Sequence, residues 1–234
     1  MDAPHCPSAP RAVPLTRAFA WFESAMRLFK QAPGRWCALG GITLGSELLL
    51  DLLPGIGVAA ASVIVPVVEC GMLLGAAAVD RGARLELRYA TAAFRAPPAA
   101  LAAIVLSALW VFAVEAAVAY ATTGTNLLVD PSDVRIMPSD LLIFFAAASF
   151  ASLPVAFVPL AVLLQNAPFG RAFATSVRAF TLNVGPLFLF GLFSFGLIVV
   201  GLAAFGVGLI AVFPILSIAN YAAWKDICAG TPAS

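Results

Sequence analysis

Between Pro186 and Ala223 the chain carries no charged residue and no polar loop. As one helix, rising about 1.5 Å per residue, this run would be roughly 57 Å long, nearly twice the ~30 Å hydrocarbon thickness of a bilayer. It must therefore turn on itself, and GLAAFGVG, Gly201 to Gly208, is where glycines permit the turn. Two spans, 186–203 and 207–224, are the result.

Four further stretches supply the roughly 20 mostly apolar residues that a crossing helix needs: 36–53, 57–79, 98–121 and 140–165. LPGIG, with Pro54 and Gly55, offers a second tight turn between the first two. Composition agrees: 62% of residues are hydrophobic and 11% charged, against roughly 45–50% and about 25% in soluble domains. The expected fold is all-α, a polytopic bundle of six transmembrane helices arranged as three hairpins. Residues 1–14 read as a disordered Pro-rich tail, 15–228 as a single membrane domain and 229–234 as a short tail. The N-terminal region lacks the early unbroken apolar run of a secretory signal, and Glu23, Arg27, Lys30 and Arg35 interrupt the stretch leading into the first span. That span is thus expected to be an uncleaved anchor.

Orientation follows from the basic residues. Of 13 Lys and Arg residues, all but Arg135 fall on one side of this threading: before span one, between spans two and three, between four and five, and at Lys225. Basic joints stay cytoplasmic, so both termini are expected inside. The outer loop TTGTNLLVDPSDVRIMPSD holds Asp130, Asp133 and Arg135, and its Ser139-Asp140 pair reads as a cap for span four. Trp36, Tyr221, Trp224 and Lys225 lie where aromatic and basic side chains anchor helices at headgroups. Pro66, Pro154, Pro159 and Pro214 each remove a backbone hydrogen bond and are expected to kink their spans.

With a net charge of +1, nothing points to nucleic acid. The widely spaced Cys6, Cys37, Cys70 and Cys228 and the single His5 form no disulfide framework or zinc pattern, and no cofactor is implied. There is no His-rich cluster, no nucleophile beside a base and no phosphate-cradling glycine loop, so the chain does not read as an enzyme.

Three inward segments look alike. ESAMRLFKQAPGRW, YATAAFRAPPAAL and ATSVRAFTLNVGPLF each place a basic residue and a phenylalanine (Phe29, Phe94, Phe180) shortly before a Pro or Gly, and each leads into a hairpin. The unit is one interface helix plus two spans, used three times in the same orientation; common ancestry and convergence on interfacial chemistry both fit it. In the first, Phe19, Phe22, Met26 and Phe29 share a face away from Arg17, Glu23, Arg27 and Lys30. Such a helix either lies along the cytoplasmic headgroups, where anionic lipid attracts each basic residue by about 1 kcal/mol, or packs beneath the bundle. The lipid bilayer and its anionic headgroups are thus the expected partners.

This layout, with SVRAFTLNVGPLFLFGL leading into span five and YAAWKDI near the end, resembles a family of uncharacterised bacterial six-helix integral membrane proteins. More loosely it resembles the membrane domain associated with glycerophosphodiester phosphodiesterases, although no phosphodiesterase domain is present. The likeness extends from about Arg17 to Ile227. It implies a multi-pass protein of the bacterial inner membrane and no catalytic residue.

Four carboxylates fall inside the spans. At about 1.5 Å per residue from the cytoplasmic side, Glu47 and Glu69 lie roughly 15 Å deep, Asp51 and Glu115 roughly 22–26 Å. No Lys or Arg shares these depths. An unpaired carboxylate at the bilayer centre costs at least about 2.5–3.5 kcal/mol, so these groups are expected to hold a proton or a cation. Hydrogen-bonded to Thr43, Ser46, Ser62 or Ser107 they would be structural, and Asp51 has the further option of reaching the outer headgroups. Gathered on one proton or cation they would be a functional site. A competing seam, Gly41-x-x-x-Gly45 and Gly71-x-x-x-Gly75, points about 140° away from Glu47 and Glu69 on their helices. If the glycines meet, the acids turn to a third helix, and span three with Glu115 is the natural one. Two functions stay open: a non-enzymatic scaffold or partner-binding subunit, and a small transporter or proton-coupled carrier using the carboxylates. Acids converging on an open cavity would favour the second.

Overall fold

A computed structural model describes residues 9–53, 56–124 and 137–228. His5, Cys6, the Pro54-Gly55 turn, the loop residues Asp130, Asp133 and Arg135, and the tail 229–234 lie outside them. The described residues are all-helical, with no strand among them: α1 (Arg17–Gln31), α2 (Pro33–Asp51), α3 (Gly57–Asp80), a 3-10 segment (Leu87–Arg95), α4 (Pro98–Thr123), α5 (Pro138–Ala151), a 3-10 turn (Leu153–Val155), α6 (Val158–Leu164), α7 (Phe169–Leu182), α8 (Val184–Ala203) and α9 (Leu209–Cys228).

By length and composition three of these, α3, α4 and α8, can cross a membrane, and a fourth crossing exists if 142–155 and 158–164, bent by 45°, form one broken span. The other two expected spans coincide with α2 and α9, of 19 and 20 residues, but these are less apolar. Arg35, Glu47 and Asp51 lie on α2, and α9 carries Lys225 and Asp226 in its last turn.

The buried core sits toward the basic end of the bundle. It takes in Trp21, Trp36, Met72, Leu85, Ile104 and Ile218. Away from it the helices turn large apolar side chains outward, among them Leu49, Leu52, Trp110, Phe188 and Val200. Water would penalise such a surface at about 25 cal/mol per Å², whereas lipid tails accept it.

The charge-free run turns where the glycines allow. Phe205 and Gly206 both have positive φ, 55° and 77°, and Phe205 is 100% exposed. At the neck of this hairpin the backbones nearly touch: a Cβ on Gly208 would stand 2.8 Å from the Cα of Gly201. Helices α3 and α9 run on through Pro66 and Pro214. Pro154 and Pro159, only five residues apart, instead separate α5 from α6. Asp140 caps α5, its carboxylate accepting the Met137 N–H at 2.9 Å.

Two expectations about surfaces are corrected. Residues 11–14 of the tail are held against the bundle: the Arg11 N–H donates to the Ile227 carbonyl at 3.0 Å and the Val13 N–H to Asn183 Oδ1 at 2.8 Å. Trp36, Tyr221 and Trp224 are buried in protein rather than turned to headgroups, because α1 and the 3-10 segment cover them. Trp36 Nε1 donates to the Leu28 carbonyl, and Tyr221 Oη and Lys225 Nζ both donate to Asp80 at 2.8 Å. The interface segments form as α1, the 3-10 segment and α7. In α1 the stripe Ala18, Trp21, Ala25 and Leu28 is buried, mainly against α9, while Phe19 and Met26 stay exposed. The helix therefore packs beneath the bundle and still offers an apolar edge.

The glycine seam between α2 and α3 does not form. Nothing lies within 4 Å of a Cβ built on Gly41 or Gly45. The close approaches are elsewhere: such a Cβ would stand 2.1 Å from the Ile210 carbonyl oxygen at Gly40, and 2.1 Å from that of Tyr89 at Gly71. Gly41→Ala and Gly45→Ala are therefore expected to leave stability unchanged or raise it by about 0.5–1 kcal/mol. Thermal unfolding of the detergent-solubilised protein checks this; a loss in either variant would restore the seam.

Candidate functional site

The break between α5 and α6 is built. A helix interrupted by proline leaves carbonyls without partners, and inside a membrane they need protein donors. Three side chains from three helices supply them. Trp110 Nε1 of α4 donates to the Ala151 carbonyl at 3.1 Å, Ser176 Oγ of α7 to that of Pro154 at 2.8 Å, and Asn220 Nδ2 of α9 to that of Ala156 at 3.2 Å. Ser176 also accepts the Phe157 N–H. The Ala156 carbonyl thereby fixes the orientation of the Asn220 amide, and Asn220 Oδ1 is left buried without a partner among the described residues.

Beside this break lies a cavity of about 420 Å³ walled by α3, α4, α5, α6, α8 and α9, and Glu69 and Glu115 both line it. Its walls are mostly apolar, with Phe112, Phe190 and Phe213 among them. Ser194, only 8% exposed, lines it with an Oγ that has no partner among the described residues, and Asn220 lines it too. Glu47 is not in the wall but lies within electrostatic reach of both Glu69 and Glu115. Asp51 stands apart at the exposed end of α2. Of the four acids singled out by sequence, two share the cavity, a third lies outside its wall and the fourth belongs to the surface.

The hydroxyls offered as structural partners are engaged within their own helices. Thr43, Ser46, Ser62 and Ser107 donate to the carbonyls of Leu39, Ile42, Ala59 and Ala103. Sequence reasoning passed over Ser194 and Asn220. Their signal was present: apart from Tyr221, the polar residues of the charge-free run are Ser194, Ser217 and Asn220, and all line the cavity. Among the described residues no group of three or more His, Cys, Asp or Glu is arranged to hold a metal ion.

A second buried charge cluster closes the basic end. Asp226, two residues beyond the expected span, is 0% exposed and accepts from Arg11, Arg17 and Trp21 Nε1. Arg11 also reaches the Asp226 carbonyl. Burial alone would push this carboxyl up, but the bonds from Arg17, Trp21 and Arg11 together outweigh it and hold the group below its ordinary value. Asn183 completes the clasp, donating to the carbonyls of Arg11 and Ala179. This cluster joins chain segments and lies outside the wall of the cavity that Glu69 and Glu115 line, so it reads as architecture. No family model, curated protein or solved structure matches the chain.

Proposed function

We propose that this chain is a six-span membrane protein with both termini on its basic, cytoplasmic side, and that it carries small cationic solutes through the cavity lined by Glu69 and Glu115. The observation that supports a carrier over a scaffold is the gathering of two carboxylates from neighbouring helices on one cavity, beside two buried polar atoms without partners among the described residues. A scaffold has no need of such a space, and packing would be expected to fill it. An intramembrane carboxylate is costly unless it is paired, and among the described residues no lysine or arginine lines this cavity. A cation from outside the chain supplies the missing charge. Basic joints on one side support the orientation, and α2 and α9 complete the six crossings.

The test uses a permanently charged probe, because a guanidinium cannot cross lipid by losing its proton. Proteoliposomes holding the full chain are expected to accumulate radiolabelled butylguanidinium under an inside-negative potential. Glu69→Gln with Glu115→Gln should cut that uptake by about tenfold or more, as the loss of one ion pair worth ~1.4 kcal/mol would. Uptake equal to that of empty liposomes, or unchanged in the double variant, would return the chain to the scaffold reading.

A further inference from the structure

The cavity also carries information about the shape of its ligand. Its wall runs from Ser62 to Leu73 on α3 and from Ile104 to Glu115 on α4, about 16 Å of each helix. The buried core takes in the C-terminal half of α3 and the N-terminal part of α4, so the two helices run antiparallel. Glu115 then stands level with Ser62, and Glu69 lies about 10 Å farther toward the basic end. Counted from the same end, Ser194 and Asn220 lie about 12–15 Å deep, beside Glu69 at about 16 Å. The cavity thus has two stations. At one depth the wall carries Glu69, Ser194 and Asn220, the last two with an Oγ and an Oδ1 that have no partner among the described residues; Glu115 stands at the other, and apolar wall such as Val111 and Phe112 lies between the two depths.

We propose that this cavity takes a linear organic dication, an aliphatic diamine or polyamine, with one ammonium at Glu69, Ser194 and Asn220 and the other at Glu115. This rests on the cation-carrier reading and gives it a ligand class. A single inorganic cation needs oxygens converging on one point, whereas these acids are staggered along the bundle. A monoamine neutralises one carboxylate and strands the other. A diamine satisfies both, and its methylene chain meets the apolar wall. A primary ammonium donates three hydrogen bonds, matching a carboxylate, Ser194 Oγ and Asn220 Oδ1, all of which can accept.

Isothermal titration of the full chain in lipid nanodiscs, corrected with empty nanodiscs, compares α,ω-diaminoalkanes with monoaminoalkanes of equal length. Diamine affinity is expected to peak at the chain length that spans about 10 Å, and there to exceed that of the matched monoamine by about 100-fold, as linked binding events do. Glu69→Gln and Glu115→Gln should each reduce the diamine to the affinity of the monoamine. The length optimum is read on the unaltered protein, so it holds even if a variant folds poorly. Equal binding of diamines and monoamines, or displacement of the diamine by equimolar magnesium chloride, overturns the dication proposal. If monoamine binding then still depends on Glu69, the carrier reading survives; if neither amine binds, both fall.

Discussion

Asp226→Ala is expected to destabilise the folded chain by about 3 kcal/mol, the scale seen when one partner of a buried ion pair is removed. The carboxylate is fully buried and takes hydrogen bonds from Arg11, Arg17 and Trp21, so its loss leaves the buried Trp21 N–H without its acceptor and removes the negative charge that faces the two arginines. Asp226→Asn keeps the shape and loses the charge, and about half the effect is expected. Denaturant unfolding of the detergent-solubilised protein measures both, and faster proteolysis ahead of Arg17 should accompany the loss. The sign of the pH dependence comes from the lowered carboxyl of Asp226. A group held below its unfolded value, about 3.9, stabilises the fold above that pH and ceases to do so as pH falls through the folded value. Unaltered protein should lose this stability below about pH 4, and Asp226→Asn should lack that part of the slope. An alanine variant as stable as the parent would show that the clasp contributes nothing.

Gly71→Ala and Gly40→Ala should each cost about 2–3 kcal/mol or more through overpacking. The new methyl would meet backbone, the carbonyl oxygens of Tyr89 and Ile210 at 2.1 Å, and backbone cannot swing aside as a side chain does. In Gly71→Ala the 3-10 segment must lift from α3, and in Gly40→Ala α9 must shift from α2. Thermal unfolding beside Gly41→Ala provides the comparison. If all three variants unfold together, the helices are not this close.

These glycines show how far sequence carries the fold. Periodicity says which residues share a face, but it does not say which element that face will meet. The i, i+4 spacing of Gly41 and Gly45 pointed to α3, yet the adjacent Gly40, turned by about 100°, makes the approach, and it meets α9. The charge-free run was readable because length and bilayer thickness alone force it to turn. The break near Pro154 was readable as a kink, since proline removes a local hydrogen bond; the donors that satisfy it come from α4, α7 and α9 and left no local sign. Glu69 and Glu115 stood out because acids are rare among apolar residues. Ser194 and Asn220 did not, since serine and asparagine are tolerated in membrane helices for many reasons. The anchoring roles of Trp36, Tyr221 and Trp224 failed because an aromatic side chain at a helix end suits a headgroup and a protein neighbour equally.

The bond between Arg11 and Asp226 spans 215 positions, from near the start of the chain to the end of its last helix. A ribosome delivers the first of these residues long before the second, so the segment around Arg11 must wait unclasped until α9 has been made. Docking of that segment therefore follows the synthesis of α9, and it reports that the α8–α9 hairpin has arrived.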